Sequence, residues 1–330
     1  MKKQSKGKEL LQKLATLLAL AILVIIFTIA VPGKFLRYPN LMNVLKQAAI
    51  NCLISSGMLI TLITAGIDLS VGSNTVLCAC TIGVLVQNFG ITNPVILIIA
   101  GIVVSTFCGF MNGVLLTRLD LPHPFVSTMG MKNVLLGLAL VITTSTSIGF
   151  TNKGVDSLLF LGSATIGGFP ISFVLVLVVF ACFDIFLNRT ALGRQIYCVG
   201  GNPEAARLSG IPSKNVLTFV YTLSGFMCGL AGVVLCGRVA VANANSGATY
   251  DNDAIAACIL GGASFTGGKG TIWGTLVGCL LMAVIRNGLN LLGASNDVQY
   301  IVIGAVIIIA VAIDVTRNKM EARARKMAAQ

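Results

Sequence analysis

Charge is scarce in this chain. Of its 330 residues only 10% are Asp, Glu, Lys or Arg, while 56% are hydrophobic. An ordinary soluble domain carries about 25% charged residues, so that class is excluded. Histidine occurs once, at His123, and tryptophan once. Ten cysteines are scattered mainly through apolar segments, Cys78, Cys80, Cys108, Cys182, Cys228 and Cys279 among them, and none forms a CxxC pair. With one histidine and no paired thiols there is no ligand set for a metal, and the cysteines read as small buried hydrophobes. Long polar segments are missing too, so there is no room for a separate catalytic domain between the apolar runs. The glycine-rich stretch "GGASFTGGKG" at 261–270 does not make a phosphate loop. That motif needs Gly at 263 and Ser or Thr after Lys269, and the chain has Ala263 and Gly270.

What the chain has is grease, in runs long enough to cross ~30 Å of hydrocarbon. Expected spans lie near 14–31, 47–66, 71–89, 93–117, 125–144, 168–187, 216–237, 251–267, 271–292 and 299–314. The first follows Lys2, Lys3, Lys6, Lys8 and Lys13. Its apolar core is too long for a signal peptide, so it reads as a retained span. The predicted fold is all-α: one transmembrane domain over 1–330, a polytopic bundle of about ten helices. The segment 251–267 is short and glycine-rich, and either crosses or re-enters.

The formal net charge is +12, and its placement sets the orientation. Residues 1–13 carry +4, 188–215 carry +3 and 315–330 carry +4. By the positive-inside rule these three stretches share the cytoplasmic side, with both termini there. Lys34, Arg37 and Lys46 fall outside in this scheme, a local violation that the other three outweigh. The basic stretches lack interleaved aromatics and adjoin spans, which argues against nucleic acid.

Inside the spans three GxxxG patterns occur, Gly109/Gly113, Gly225/Gly229 and Gly274/Gly278. Each offers a groove for close helix approach, within the chain or between copies. Polar residues interrupt the grease at 62–73, "LITAGIDLSVGS", where Gly66, Asp68, Ser70, Gly72 and Ser73 cluster. An aspartate at the bilayer centre costs roughly 2.5–3.5 kcal/mol on insertion scales, so Asp68 must face protein, water or a helix end. A related pattern, "ILGGASFTGG" at 259–268, suggests a second broken half-helix. Gly66, Asp68, Ser70, Gly261, Gly262 and Ser264 are therefore candidates for a translocation path or gate. Asn287 and Asn290 join them, as amides able to hydrogen-bond a sugar. Asp68 alternatively caps a helix break. Lys132 and Arg286 also lie within spans, and Arg286 reads as a residue that snorkels from near a span end. An intramembrane enzyme would need a catalytic pair, and no second carboxylate stands at helical spacing from Asp68. An ion-driven carrier using Asp68 alone is a further alternative.

The polar island "GGNPEAARLSGI" at 200–211 has the grammar of a short solvated helix. Asn202 suits the N-cap, Pro203 the first turn, Glu204 the positive helix end and Gly210 a left-handed stop. Glu204 and Arg207 stand i, i+3 and can pair. A helix of ~7 residues is marginal alone in water, so a partner's cleft is the expected support.

Four ordered stretches, "GIDLSVGS" at 66–73, "LGRQIYCVGGNPEAARLSGI" at 192–211, "YDNDAIAACILGGASFTGGKGTIWGTLVG" at 250–278 and "NGLNLLG" at 287–293, carry a resemblance. The chain resembles the permease subunits of bacterial ABC importers for monosaccharides, closest to the ribose-type group. The resemblance implies an inner-membrane permease, no enzyme itself, that pairs with a second permease chain. It implies an ABC ATPase subunit that binds ATP and Mg, so this chain carries no cofactor. A periplasmic or lipid-anchored sugar-binding protein would deliver ribose or a related sugar. It further implies that Asn202, Pro203, Glu204, Ala205, Ala206, Arg207, Leu208, Ser209 and Gly210 form the coupling helix docked in the ATPase. Related permeases for nucleosides, branched-chain amino acids or a furanosyl signal share such motifs. His123 and Lys132 depart from the expected pattern.

Overall fold

The computed structural model describes the backbone of residues 2–119, 121 and 123–328, with side chains for 16–119, 121 and 123–316. The basic stretches at 1–13 and 317–330 thus lie outside the described side chains. Thirteen α-helices run in chain order among the described residues. They are α1 (Lys2–Ala30), α2 (Tyr38–Ile63), α3 (Val71–Phe89), α4 (Pro94–Arg118) and α5 (Pro124–Ile142), then α6 (Asp156–Ser163), α7 (Ile171–Arg189), α8 (Ala191–Gly201) and α9 (Pro203–Leu208). The last four are α10 (Ser213–Val239), α11 (Tyr250–Leu260), α12 (Ile272–Leu291) and α13 (Asn296–Ala328). Two pairings of two-residue strands make up the described sheet. Eight of the described helices are long and apolar enough to cross a membrane, and the apolar part of α1 is Thr16–Ala30. The chain is a polytopic helical membrane protein.

Lipid-facing and buried helices are told apart by their surfaces. Ile29, Val103, Val141, Ile301 and Ile308 all stand exposed, which only hydrocarbon tolerates at this density. In α2, by contrast, every residue from Cys52 to Ile63 is buried, so it is the central post of the bundle.

Glycines set how closely the helices meet. Gly109 lies on Tyr221 and Gly225, Gly113 on Thr218, and Gly229 on Ile102. One helix climbs as the other descends, so α4 and α10 are antiparallel, with backbones too close for any side chain between them. Gly274 meets Gly261 and Gly278 meets Ala257 in the same antiparallel sense, joining α12 to α11. All three GxxxG patterns are used within the chain.

Most helices coincide with the expected spans, and three differences have physical causes. The α2 helix begins at Tyr38, because Pro39 starts it within its first turn. Lys46 is therefore on a helix rather than in a loop, and its Nζ donates to the Ser163 carbonyl at 2.8 Å. The segment 251–267 is not one helix. The α11 helix ends after 11 residues, ~16 Å at 1.5 Å per residue and about half a bilayer core. The turn-rich stretch from Gly261 onward completes the passage to α12, with Gly262, Gly267 and Gly268 at positive φ. Finally, the supposed loop at 188–215 contains a second helix, α8. Its Gly193, Ile196, Val199 and Gly200 form a buried stripe at helical spacing against the bundle.

Candidate functional site

The α9 helix is built as its sequence grammar implies. Asn202 sits in extended conformation (φ −158°, ψ 97°), and its Oδ1 accepts from the Ala205 N–H at 3.0 Å. Pro203 occupies the first turn, and Gly210 leaves at φ +80°. Arg207 Nη2 donates to Glu204 Oε1 at 2.6 Å, and its Nε to Oε2 at 3.3 Å. Both side chains are about two-thirds exposed (65% and 67%). The guanidinium holds the Glu204 carboxyl below the usual carboxylate range. Only Ala206 of this helix is buried, whereas Leu208 is 75% exposed. An apolar tip beside a bidentate ion pair is an unfinished contact.

Behind α9, the end of α8 rests on the two breaks. Gly200 lies against the backbone of Ile63 and Thr64, where α2 stops, with no room for a Cβ. Gly267, in the turn after α11, lies against Gly200 and Ala65. The Gly268 N–H donates to the Ile63 carbonyl at 2.8 Å, and Tyr197 Oη donates to the Gly270 carbonyl at 2.8 Å. The two glycine patterns that resemble one another in sequence thus touch in space, and α8 is the roof over their junction.

The first break turns on Asp68. Gly57 and Asp68 both meet Ser224, so the chain descends past this point, reverses and climbs back as α3. Ala65 takes a left-handed φ of +58° to make the reversal. Asp68 is 2% exposed and fully engaged. Its Oδ1 accepts from the Ser70 N–H at 3.0 Å and the Ser70 hydroxyl at 2.6 Å. Its Oδ2 accepts from Ser224 Oγ at 3.1 Å, and Asn112 Nδ2 donates on to Ser70 Oγ at 2.7 Å. This carboxylate ties α3, α4 and α10 to the break, which is the capping alternative in physical form. The Tyr221 hydroxyl beside Gly66 is buried and has no hydrogen-bond partner.

The other candidates divide. Ser264 Oγ donates to Asp314 at 3.2 Å, and Gly261 lies on Gly274. Asn287 exchanges two 2.9 Å hydrogen bonds with Asn40. Asn290 Oδ1 accepts from Gln299 at 2.7 Å. His123 is the N-cap of α5, its Nδ1 accepting from the Phe125 N–H at 3.1 Å.

One expectation is corrected. Arg286 does not snorkel: its Nε and Nη2 grip the Asp253 carboxylate at 2.8 Å each. Lys132, the other cation within a span, likewise has an acid: its Nζ donates to Asp251 at 2.6 Å. Asp251 and Asp253 are 1% and 3% exposed, at the start of α11. Charge balance could have found them, because two cations inside spans require two anions nearby.

Broken helices meeting within a lipid-facing bundle, beneath one displayed helix, define a multi-pass membrane permease. Residues 40–311 match the family described as "branched-chain amino acid transport system / permease component", and the chain belongs to that family. It is 40% identical over 308 residues to the ribose import permease protein of Bacillus subtilis, covering 92% of this chain and 93% of that one. It is 36% identical to the fructose import permease protein of Rhizobium meliloti (96% and 91% covered). Against the D-allose transport system permease protein of Escherichia coli K12 it is 36% identical (92% and 91% covered).

Proposed function

We propose that this chain is the membrane-spanning permease of an ATP-driven ABC importer for a monosaccharide of the ribose class, in the bacterial inner membrane. The relatives named for ribose, fructose and allose support the cargo class. The charge distribution supports an orientation with α9 and both termini in the cytoplasm. ATP and Mg belong to a partner ATPase, which receives residues 202–210 in its cleft. A periplasmic or lipid-anchored binding protein delivers sugar to the other end, and a second permease chain completes the pathway.

One observation carries this reading: α9 is capped and paired by its own residues yet leaves Leu208, Glu204 and Arg207 facing outward. Motion of a partner seated there passes through α8 to Gly200, and from Gly200 to the junction of both breaks. Displacement at that junction moves the Asp68 tie and the foot of α11 together, which opens or closes the space between the breaks. The residues 66, 68, 70, 261, 262 and 264 then serve the gate rather than bind sugar.

The test exchanges the two charges. In vesicles holding the complete importer, Glu204→Arg with Arg207→Glu keeps an internal pair but inverts what the ATPase meets. ATP hydrolysis is expected to continue while labelled-sugar uptake falls by an order of magnitude or more. Normal coupling in that variant defeats the docking assignment.

A further inference from the structure

At the end of the bundle opposite α9 lies a cavity of about 170 Å³, where α10 and α12 finish and α13 begins. Its lining residues include Asn245, Thr249, Arg286, Asn296, Gln299 and Tyr300. We propose that this cavity is a receiving site for the sugar, a small neutral polyol, on its way from the binding protein into the permease. The proposal rests on the importer reading above and adds to it the place where cargo first meets this chain.

Its size excludes large ligands. Drug-sized sites run to ~300–1,000 Å³, so this one suits a molecule of roughly a dozen non-hydrogen atoms. Its charge excludes ions. Among the described residues Arg286 is the one charged residue of the lining, and Asp253 already neutralises it through two hydrogen bonds. Three of the five guanidinium N–H groups remain as donors without a net charge to attract an anion.

Its polar groups are spare. Thr249 stands at the N-cap of α11, where a threonine ordinarily accepts from the helix backbone, but it makes no capping bond. Gln299 Nε2 is committed to Asn290 and the Ala294 carbonyl, so its Oε1 is left as an acceptor. Among the described residues no hydrogen bond engages the exposed side chains of Asn245, Asn296 or Tyr300; the Asn245 backbone donates to Asn243 and accepts from the Ala248 N–H. Amide and hydroxyl groups that both donate and accept match sugar hydroxyls, which do the same. Tyr300, 55% exposed, adds an aromatic face for the apolar side of a ring. The floor is firm because Arg286 is held from below. Spare hydrogen bonds on a fixed floor give weak, reversible binding, which suits a site that must release its cargo inward.

The experiment uses vesicles with the complete importer, offered D-ribose and D-fructose together. In Thr249→Val with Asn296→Leu, uptake at low sugar is expected to fall about three- to tenfold per lost bond. The ribose-to-fructose ratio is expected to shift by about threefold, since the two rings place hydroxyls differently. Tyr300→Phe should retain more uptake than Tyr300→Ala. Unchanged rates and ratio overturn the site while leaving the importer intact. An equal loss for both sugars, with weaker capture of the binding protein, overturns it in favour of a docking surface. Wild-type vesicles that take up neither sugar with ATP would instead strike the importer reading itself.

Discussion

Two short helices in this molecule use the same chemistry in opposite surroundings. The α9 helix has six residues and one carboxylate–guanidinium pair, Glu204–Arg207, standing in water. The α11 helix has 11 residues and two ion pairs, Asp251–Lys132 and Asp253–Arg286, sunk among spans. An exposed pair contributes little to stability because water screens it. A buried pair is held hard, because losing one partner strands a charge in a medium that cannot solvate it. The exposed helix is thus left free to exchange its partners for those of another protein. The buried one is fixed to α5 and α12 and cannot leave. The same pairing serves as an offered contact in one place and as a clamp in the other.

The sharpest break of that contrast is at the clamp. Asp253→Leu leaves the half-buried Arg286 without its anion, and a loss of up to about 3–5 kcal/mol follows. The thermal midpoint of the purified chain should fall steeply, and Asp253→Leu with Arg286→Met should recover most of it. If the double variant is no better than the single, the pair is not the clamp described. The corresponding removal at α9, Glu204→Leu, should leave the midpoint nearly unmoved.

Between the two helices lies their link, and it gives the intermediate effect. Gly200, in the last turn of α8, has the Ile63 backbone where its Cβ would be. Gly200→Ala forces these backbones apart, an overpacking cost of typically 1–3 kcal/mol. Because the strain falls on the junction of the breaks, uptake per ATP hydrolysed should drop more than the midpoint suggests. Gly201→Ala, whose Cβ meets open space, is the control. Equal behaviour of the two variants would remove α8 from the path between α9 and the breaks.

Sequence reasoning reached these regions unevenly, and the reasons are physical. The α9 helix is written in local code: a cap, a proline, an i, i+3 pair and a glycine stop all lie within ten residues. Long apolar spans are likewise local, so most of them coincide with the helices found. The clamp is written non-locally. Lys132 and Asp251 are 119 residues apart and Arg286 and Asp253 are 33 apart, so nothing in either neighbourhood announces the other. The buried α8 stripe was hidden by its polar neighbours, Arg194 and Gln195, which face away. The contact between the two breaks was hinted at by their similar glycines, yet that likeness said nothing of their touching. Asp68 was legible as a buried acid, while its partner Ser224 and the Asn112 that holds Ser70 come from α10 and α4 and could not be read from 62–73.

The smallest effect probes the exposed side of the comparison. Arg207 holds the Glu204 carboxyl below its ordinary range, so the folded pKa lies under the unfolded one. The sign follows: the pair supports α9 fully above the ordinary carboxylate range, and that support fades as pH falls through the lowered value. Salt acts in the same direction, since ~1 M salt shortens the screening length to about 3 Å. Amide hydrogen exchange, corrected for its intrinsic pH dependence, should show residues 203–208 losing protection in acid and in high salt. Residues 250–260, whose carboxylates Asp251 and Asp253 are buried, should lose less than residues 203–208 when salt alone is raised. The cap at Asn202 does not titrate, so it sets a floor beneath which acid cannot take the α9 protection. If salt loosened both helices alike, the clamp would be as open to solvent as the displayed pair, and the difference between them would rest on length alone.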